Sequence, residues 1–311
     1  MSNPLVSVLM PVYNVEKFIE EALFSILNQT YKNIEVIVVD DYSTDNTFDI
    51  CKKISEMDSR VKLFKNPKNL KIVKTLNFAL TQSSGGYIAR MDGDDISAAT
   101  RIERQLDFLL NNPEYYLVGS HLITIDEYGK EIGFEEMPIT QQLINRTLKL
   151  SSPVAHIWLA KREVYNLLNG YREIPGVEDY DFLLRMHTKN LPFTNIDSYD
   201  YYVRIRSGNT TSTIGFVQRL MTNYVLYLYK LQKKNIDSYS IDNMKNYIKK
   251  NEKFKIKFDK SNSFLLHSIK LKSNKRFLKM SFFLVLACLT SKYQFQYLSK
   301  RFFLRIIKKM H

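Results

Sequence analysis

Two groups of carboxylates sit where chemistry is cheap to build. Asp40 and Asp41 follow the β-branched run IEVIVV, and Asp92, Asp94 and Asp95 follow YIARM. Five acids at the ends of two apolar runs repel one another unless a cation joins them. They suit a divalent ion together with a nucleoside diphosphate. Mg²⁺ and Mn²⁺ prefer oxygen ligands. Mg²⁺ in particular takes one or two carboxylates and completes its shell with water and substrate phosphate. Asp also caps helices and opens turns, which is the ordinary role for Asp45. No GxGxxG or GxxxxGK[ST] loop is present, so phosphate would depend on the metal and on basic side chains.

Other candidates stand further along. Glu178 and Asp179 head an amphipathic stretch, 180–189, where acids either complement a helix N-terminus or serve as a general base. Asp181, one turn in, is structural or acceptor-facing. Arg204 and Arg206 alternate to one face of a strand in YYVRIRSGN and are either surface residues or diphosphate ligands. His156, in SSPVAHIWLA, is either a satisfied structural histidine or a contact to acceptor or phosphate. Trp158, the single tryptophan, is expected in the core rather than against a sugar.

The elements that must carry these groups alternate. Leu5–Met10, Ile34–Val39, Val61–Phe64 and Tyr87–Met91 read as short buried strands. Between them lie a helical repeat from Phe18 to Leu27, with Asn14 as N-cap, and helices at Thr47–Ile54 and Thr75–Gln82. This alternation predicts a mostly parallel sheet with helices on both faces. Such sheets bind ligands beyond the carboxyl ends of their strands, where the acids stand.

The 311 residues allow two domains, or one large domain with an appendage. Apolar residues at 45% and charged residues at 25% exclude a disordered, collagen-like or polytopic membrane chain. Two cysteines build no disulfide framework and fit a reducing compartment. Residues 1–15 lack the pattern of a secretory signal. The longest apolar run, Phe282–Leu289, is far short of the roughly 20 residues a spanning helix needs. The net charge of +13 is concentrated: 216–311 holds 22 basic and 4 acidic residues, which leaves the remainder mildly acidic. This basic, aromatic-rich tail has few helix breakers and reads as helical. It is either a surface for anionic lipid, a nucleic-acid contact, or a helical bundle with solvated lysines. The enzymatic character of the rest favours the membrane and makes nucleic acid the less expected partner.

The segment PLVSVLMPVYNVEKFIEEALFSILNQTYKNIEVIVVDDYSTDNT, followed by GGYIARMDGDDIS, resembles the nucleotide-sugar half of family 2 glycosyltransferases. The resemblance continues through SSPVAHIWLAKREVYNLLNGYREIPGVEDYDFLLRM and ends near YYVRIRSGNTTS, covering about two thirds of the chain. It implies an α/β GT-A fold, with a Rossmann-like mixed sheet, and a basic C-terminal helical region. The implied parts are 1–110 for the nucleotide sugar, 111–215 for the acceptor, and 216–311 for the tail. Position by position, it implies that Pro11 and Tyr13 contact uridine and that Asp41 accepts from the base. Asp94 would ligate the metal, with Asp92 nearer the ribose and within reach of the ion. Asp179 would be the general base, paired with Glu178. Lys71 departs from the family where Gly is frequent, Ala99 where Pro is frequent, and Arg206 where His is frequent.

The implied function is a metal-dependent, inverting glycosyltransferase using Mn²⁺ or Mg²⁺. It would move a sugar from a nucleotide-diphospho-sugar to a saccharide or lipid-linked saccharide of bacterial surface glycan. It would work in the cytoplasm, peripherally at the inner face of the membrane. Two alternatives are a sugar nucleotidyltransferase, which would need a Gly-rich loop that PVYNVEKF lacks, and a non-catalytic nucleotide-sugar-binding module. The sugar, linkage and oligomeric state are not encoded in any motif.

Overall fold

The computed structural model of the chain describes residues 3–206 and 215–309; the SGNTTS end of the resembling stretch, 207–212, lies outside them. In chain order the elements are β1 (Val6–Val12), α1 (Ile19–Leu27), β2 (Ile34–Asp40), α2 (Thr47–Met57), β3 (Val61–Lys65), α3 (Ile72–Gln82), β4 (Tyr87–Arg90), β5 (Ile96–Ser97) and α4 (Arg101–Asn111). Then come β6 (Leu117–Ile125), β7 (Glu131–Glu135), α5 (Gln141–Thr147), β8 (Leu159–Lys161), α6 (Arg162–Leu168), α7 (Glu178–Thr188) and β9 (Phe193–Arg204). The tail is helical: α8 (Gly215–Gln232), α9 (Ile241–Asn251), α10 (Lys255–Ser273), α11 (Phe277–Thr290) and α12 (Lys292–Lys309).

The strands form one mixed sheet in the order β3-β2-β1-β4-β8-β6-β9-β5, with β7 paired to β6. The first four strands are mutually parallel. Every residue of β1 and β2 is buried, as expected of strands covered on both faces. Parallel order brings the carboxyl ends of β1, β2 and β4 to one edge. The chain runs from β1 outward through β2 to β3 and returns to the other side of β1 as β4. That reversal is a topological switch point, where open α/β sheets bind ligands. Beyond β4, the short β8 runs antiparallel and joins β6 and β9 to the parallel half.

One expected cap differs. Asn14 has φ +50° and α1 begins at Ile19. Its side chain instead accepts from Thr44 N at 2.9 Å, tying the loop after β1 to the loop after β2.

The chain divides into two compact units. Among the described residues, the first holds 3–144, 153–173 and 181–206; the second holds the C-terminal helices with the segments 145–152 and 174–180. Those two short segments fall within the expected 111–215 part. Inside the second unit, Gln218 of α8 donates to Gly176 O at 3.1 Å, and the Tyr180 hydroxyl donates to Leu148 O. In the same unit α10 packs on α11 through Phe264, His267 and Phe283, and Ser261 donates to Ala287 O. Among the described residues no helix is long and apolar enough to cross a membrane.

Candidate active site

At the carboxyl edge of the parallel strands, β1 delivers Pro11 and Tyr13. Pro11 is buried opposite Val39 of β2. Tyr13, just past the strand, is 45% exposed and its ring is open for stacking. Asp41 continues the β2 ladder, donating its backbone N–H to Val12 O at 2.8 Å. Its buried carboxylate accepts from Leu70 N at 2.7 Å, Lys71 N at 2.9 Å and Asn66 Nδ2 at 2.8 Å. Asp41 thus shapes the 66–71 loop as well as facing the strand edge. Lys71 is held there at φ +71°, ψ 164°, a conformation natural only to glycine. The family's frequent Gly at this position has a backbone reason, and this chain carries the strain.

The strand end after β4 holds three acids. Asp92 lies 3.3 Å from Arg90 Nε and 2.9 Å from His156 Nε2. Burial works against its charge, but Arg90 and His156 outweigh that and hold its carboxyl well below the usual range. Asp94 is pushed up, by burial and then by the charge of Asp92, despite Arg206. Burial and both neighbouring acids push Asp95 to about 8, although its Oδ1 accepts from Arg204 N at 2.8 Å. Gly93 separates the two motif acids for a packing reason. A Cβ there would sit 2.7 Å from Val12 Cγ1 and 3.2 Å from Val15 Cγ2.

The two arginines part company. Arg204 is buried. Its guanidinium donates to the carbonyls of Asp94, Asp126 and Glu127 and to Glu21 Oε2 at 2.6 Å, so it binds loops together rather than lying on the surface. Arg206 is more open and donates to Asp94 Oδ2 at 2.7 Å. Among the described residues no three His, Cys, Asp or Glu side chains converge into a metal cage. An ion that takes one or two carboxylates and finishes its shell with phosphate needs no cage. The hard oxygens of Asp92 and Asp94, where the charge of Asp92 pushes up the pKa of Asp94 and Asp95, fit such an ion.

Glu178 and Asp179 occupy the first turn of α7. Glu178 is buried. Asp179 is partly exposed, accepts from Tyr180 N at 2.7 Å, and lines a cavity with Gly176 and Gln218. Asp181 is buried, and its carboxylate accepts from Arg185 Nε at 2.8 Å, while Arg185 also donates to Leu168 O and Gly170 O. That fits the structural alternative for Asp181, which through Arg185 holds the turn after α6. Trp158 is fully buried, stacked on Phe182, with its N–H donated to the Tyr165 hydroxyl at 2.9 Å.

Some supporting residues escape sequence reasoning. Arg101 is fully buried and donates to Arg90 O at 3.2 Å and Ile157 O at 3.0 Å, its guanidinium lying 5.0 Å over the Tyr201 ring. Tyr201 in turn accepts from Asp92 N at 3.1 Å. The only signal in sequence was the unusual run of polar residues between apolar ones at 97–105, which reads equally as a solvated helix face.

Residues 7–168 match the family model described as glycosyl transferase family 2. The putative glycosyltransferase EpsE of Bacillus subtilis (strain 168) is 36% identical over 208 residues, covering 65% of this chain and 74% of that protein. WfaP of Escherichia coli, a UDP-Glc:alpha-D-GlcNAc-diphosphoundecaprenol beta-1,3-glucosyltransferase, is 29% identical over 67% of this chain and 80% of its own length. Among solved structures, Staphylococcus aureus TarS 1–349 in complex with UDP-GlcNAc superposes with TM-score 0.60 at 21% identity, over 98% of this chain and 90% of that one. The mannosyltransferase PcManGT from Pyrobaculum calidifontis, in complex with GDP-Man and Mn²⁺, gives 0.57 at 15% identity, over 96% and 75%.

Proposed function

The chain belongs to glycosyl transferase family 2 and has the GT-A fold, and from that premise we propose that it transfers a sugar, with inversion, from a nucleoside-diphosphate sugar to a saccharide or lipid-linked saccharide of a bacterial surface glycan. The observation that carries this is the gathering of Tyr13, Asp41, Asp92 and Asp94 at the carboxyl edge of three adjacent parallel strands. Two of the relatives are named or captured with uridine diphosphate sugars, which supports a lean to UDP.

Tyr13 stacks on the base and Asp41 accepts from its N–H. Asp92 and Asp94 would hold Mn²⁺ or Mg²⁺, which when bound supplies a Lewis acid for the charge growing on the leaving diphosphate. Arg206, now on Asp94, exchanges that partner for the diphosphate. Asp179 takes the proton of the acceptor hydroxyl as its oxygen bonds to the anomeric carbon. The bond from that carbon to the diphosphate oxygen breaks, and its electron pair leaves with the nucleotide. His156 keeps Asp92 ionised and oriented. The basic tail, with its exposed aromatic residues, supports a peripheral place on the anionic inner face of the membrane.

Release of nucleoside diphosphate from a panel of nucleotide sugars, with Mn²⁺ or with chelator, tests the whole. Asp94→Ala is expected to lose metal-dependent turnover; full activity of that variant in chelator would sink the metal assignment. Asp179→Asn is expected to bind donor much as before and to turn over on the order of 10²-fold or more slowly. Weak donor binding with normal turnover per bound donor would instead make Asp179 structural.

A further inference from the structure

The cavity that Asp179 lines lies wholly within the second unit, and its volume is about 340 Å³. One side is the turn before α7 with 150–152; the others are α8 and α12. Its charged side chains are two cations, Arg219 and Lys300, against the single carboxylate of Asp179. Arg219 lies with its guanidinium carbon 3.2 Å over the Tyr297 ring, and its Nε is buried with no hydrogen-bond partner. The Tyr297 hydroxyl accepts from Arg301 at 2.6 Å, so a further cation backs the same wall. Burial pushes the Arg219 pKa down, and burial with nearby Lys230 does the same for Lys300. Both cations stand where an added anion would be favourable. The remaining lining mixes hydroxyl and amide groups, from Ser151, Thr222 and Asn223, with apolar surface from Leu150, Val177 and Tyr293.

Planar Arg and flexible Lys together are the usual recognition pair for phosphate oxygens. The volume lies near the lower end for small-molecule sites, enough for one sugar with a phosphate and too little for an oligosaccharide. We infer that this cavity is the acceptor subsite, and that it takes a sugar phosphoester, with Arg219 and Lys300 on the phosphate and a hydroxyl of the same sugar at Asp179. The inference rests on the transferase assignment above and sharpens it. The reacting sugar would sit next to a phosphate, at the start of a glycan, and not at the distant end of a long neutral chain.

The test uses the full chain, a productive donor and Mn²⁺. Acceptors are a monosaccharide as its octyl diphosphate glycoside, as its free 1-phosphate, and as its uncharged octyl glycoside. Wild type is expected to show a KM at least about tenfold lower for the phosphate-bearing forms. Preference for the alkyl diphosphate assigns the phosphate to a lipid carrier; preference for the free 1-phosphate assigns it to a soluble sugar phosphate. Arg219→Gln and Lys300→Gln are expected to raise KM for the phosphate-bearing acceptors about tenfold each and to shrink the ratio to the uncharged glycoside. Lys300→Arg is expected to keep most of the preference, and reading position 300 separately keeps the test sound should Arg219→Gln fail to fold. Equal use of charged and uncharged acceptors by wild type, or an unchanged ratio in both Gln variants, would overturn the inference. Failure of every nucleotide sugar to react or bind would instead remove the transferase assignment itself.

Discussion

Strand β2 and helix α11 are both apolar runs, IEVIVVD and FLKMSFFLVLACLT, yet the first is entirely buried while in the second only Ala287 is. In α11, Leu278 is 90% exposed and Leu289 80%. A parallel strand covered on two faces uses every side chain for the core. A helix that keeps such residues outside gains little folding energy from them, so they are available for an apolar surface beyond the chain. The second unit also carries the basic surplus, whereas the acids of the first are matched internally, Glu35 by Lys62 and Asp92 by Arg90.

The largest expected effect that sharpens this contrast is on stability. Ile37→Ala, in the buried β2, should cost about 2–5 kcal/mol in urea unfolding. Leu278→Ala should change stability by less than about 0.5 kcal/mol while weakening binding to anionic vesicles, most visibly at low salt. A large stability loss from Leu278→Ala would break the contrast and return α11 to the core.

A smaller effect lies under the sheet. Glu35 is buried in β2; burial pushes its pKa up, but the Lys62 ammonium, the Ser7 hydroxyl and the Ser84 N–H and hydroxyl outweigh this and bring it to about 2. Its folded pKa is below its ordinary 4.5, so its contribution is complete above about pH 4.5 and is lost as pH falls toward 2. The stability gap between wild type and Glu35→Gln should therefore narrow across that window. A gap independent of pH would show that the carboxylate's charge is not what holds Ser7 and Ser84.

The smallest effect is at Lys71. Relief of its glycine-only backbone is worth about 1–3 kcal/mol, and the extra freedom of an unfolded glycine returns about 0.5–1. Lys71→Gly should raise the melting temperature by a few degrees, read by thermal denaturation. A lower melting temperature would mean that the lysine side chain supplies more than its backbone costs.

The parallel half of the fold was legible because doubly covered strands read as unbroken apolar runs, and the acids Asp41, Asp92 and Asp94 stand at their ends. The GT-A fold was implied by the resemblance to family 2 glycosyltransferases, which the ordered motifs carry. Long-range satisfaction was not legible. Arg204 reads in YYVRIRS as a surface residue or a diphosphate ligand, and only three distant carbonyls and Glu21 explain its burial. Asn14 looks like a helix cap by type, but its partner lies on the next strand's loop. The short β8 has too few residues for a period to show. The membership of 145–152 and 174–180 in the second unit depends on α8 contacts such as Gln218 to Gly176, which no local pattern announces.

Gly93 carries a consequence for how such an enzyme can diversify. Because Val12 and Val15 occupy the space any β-carbon would need, the distance between the two motif acids is set by the hydrophobic core. Selection for a new donor cannot work through that position without repacking the start of α1. It has room instead at the exposed rim, where Tyr13 and Tyr42 are about half open to solvent. A library built on this chain should leave 93 alone and spend its diversity on Tyr42 and Lys71, where donor preference can drift while Asp92 and Asp94 keep their spacing.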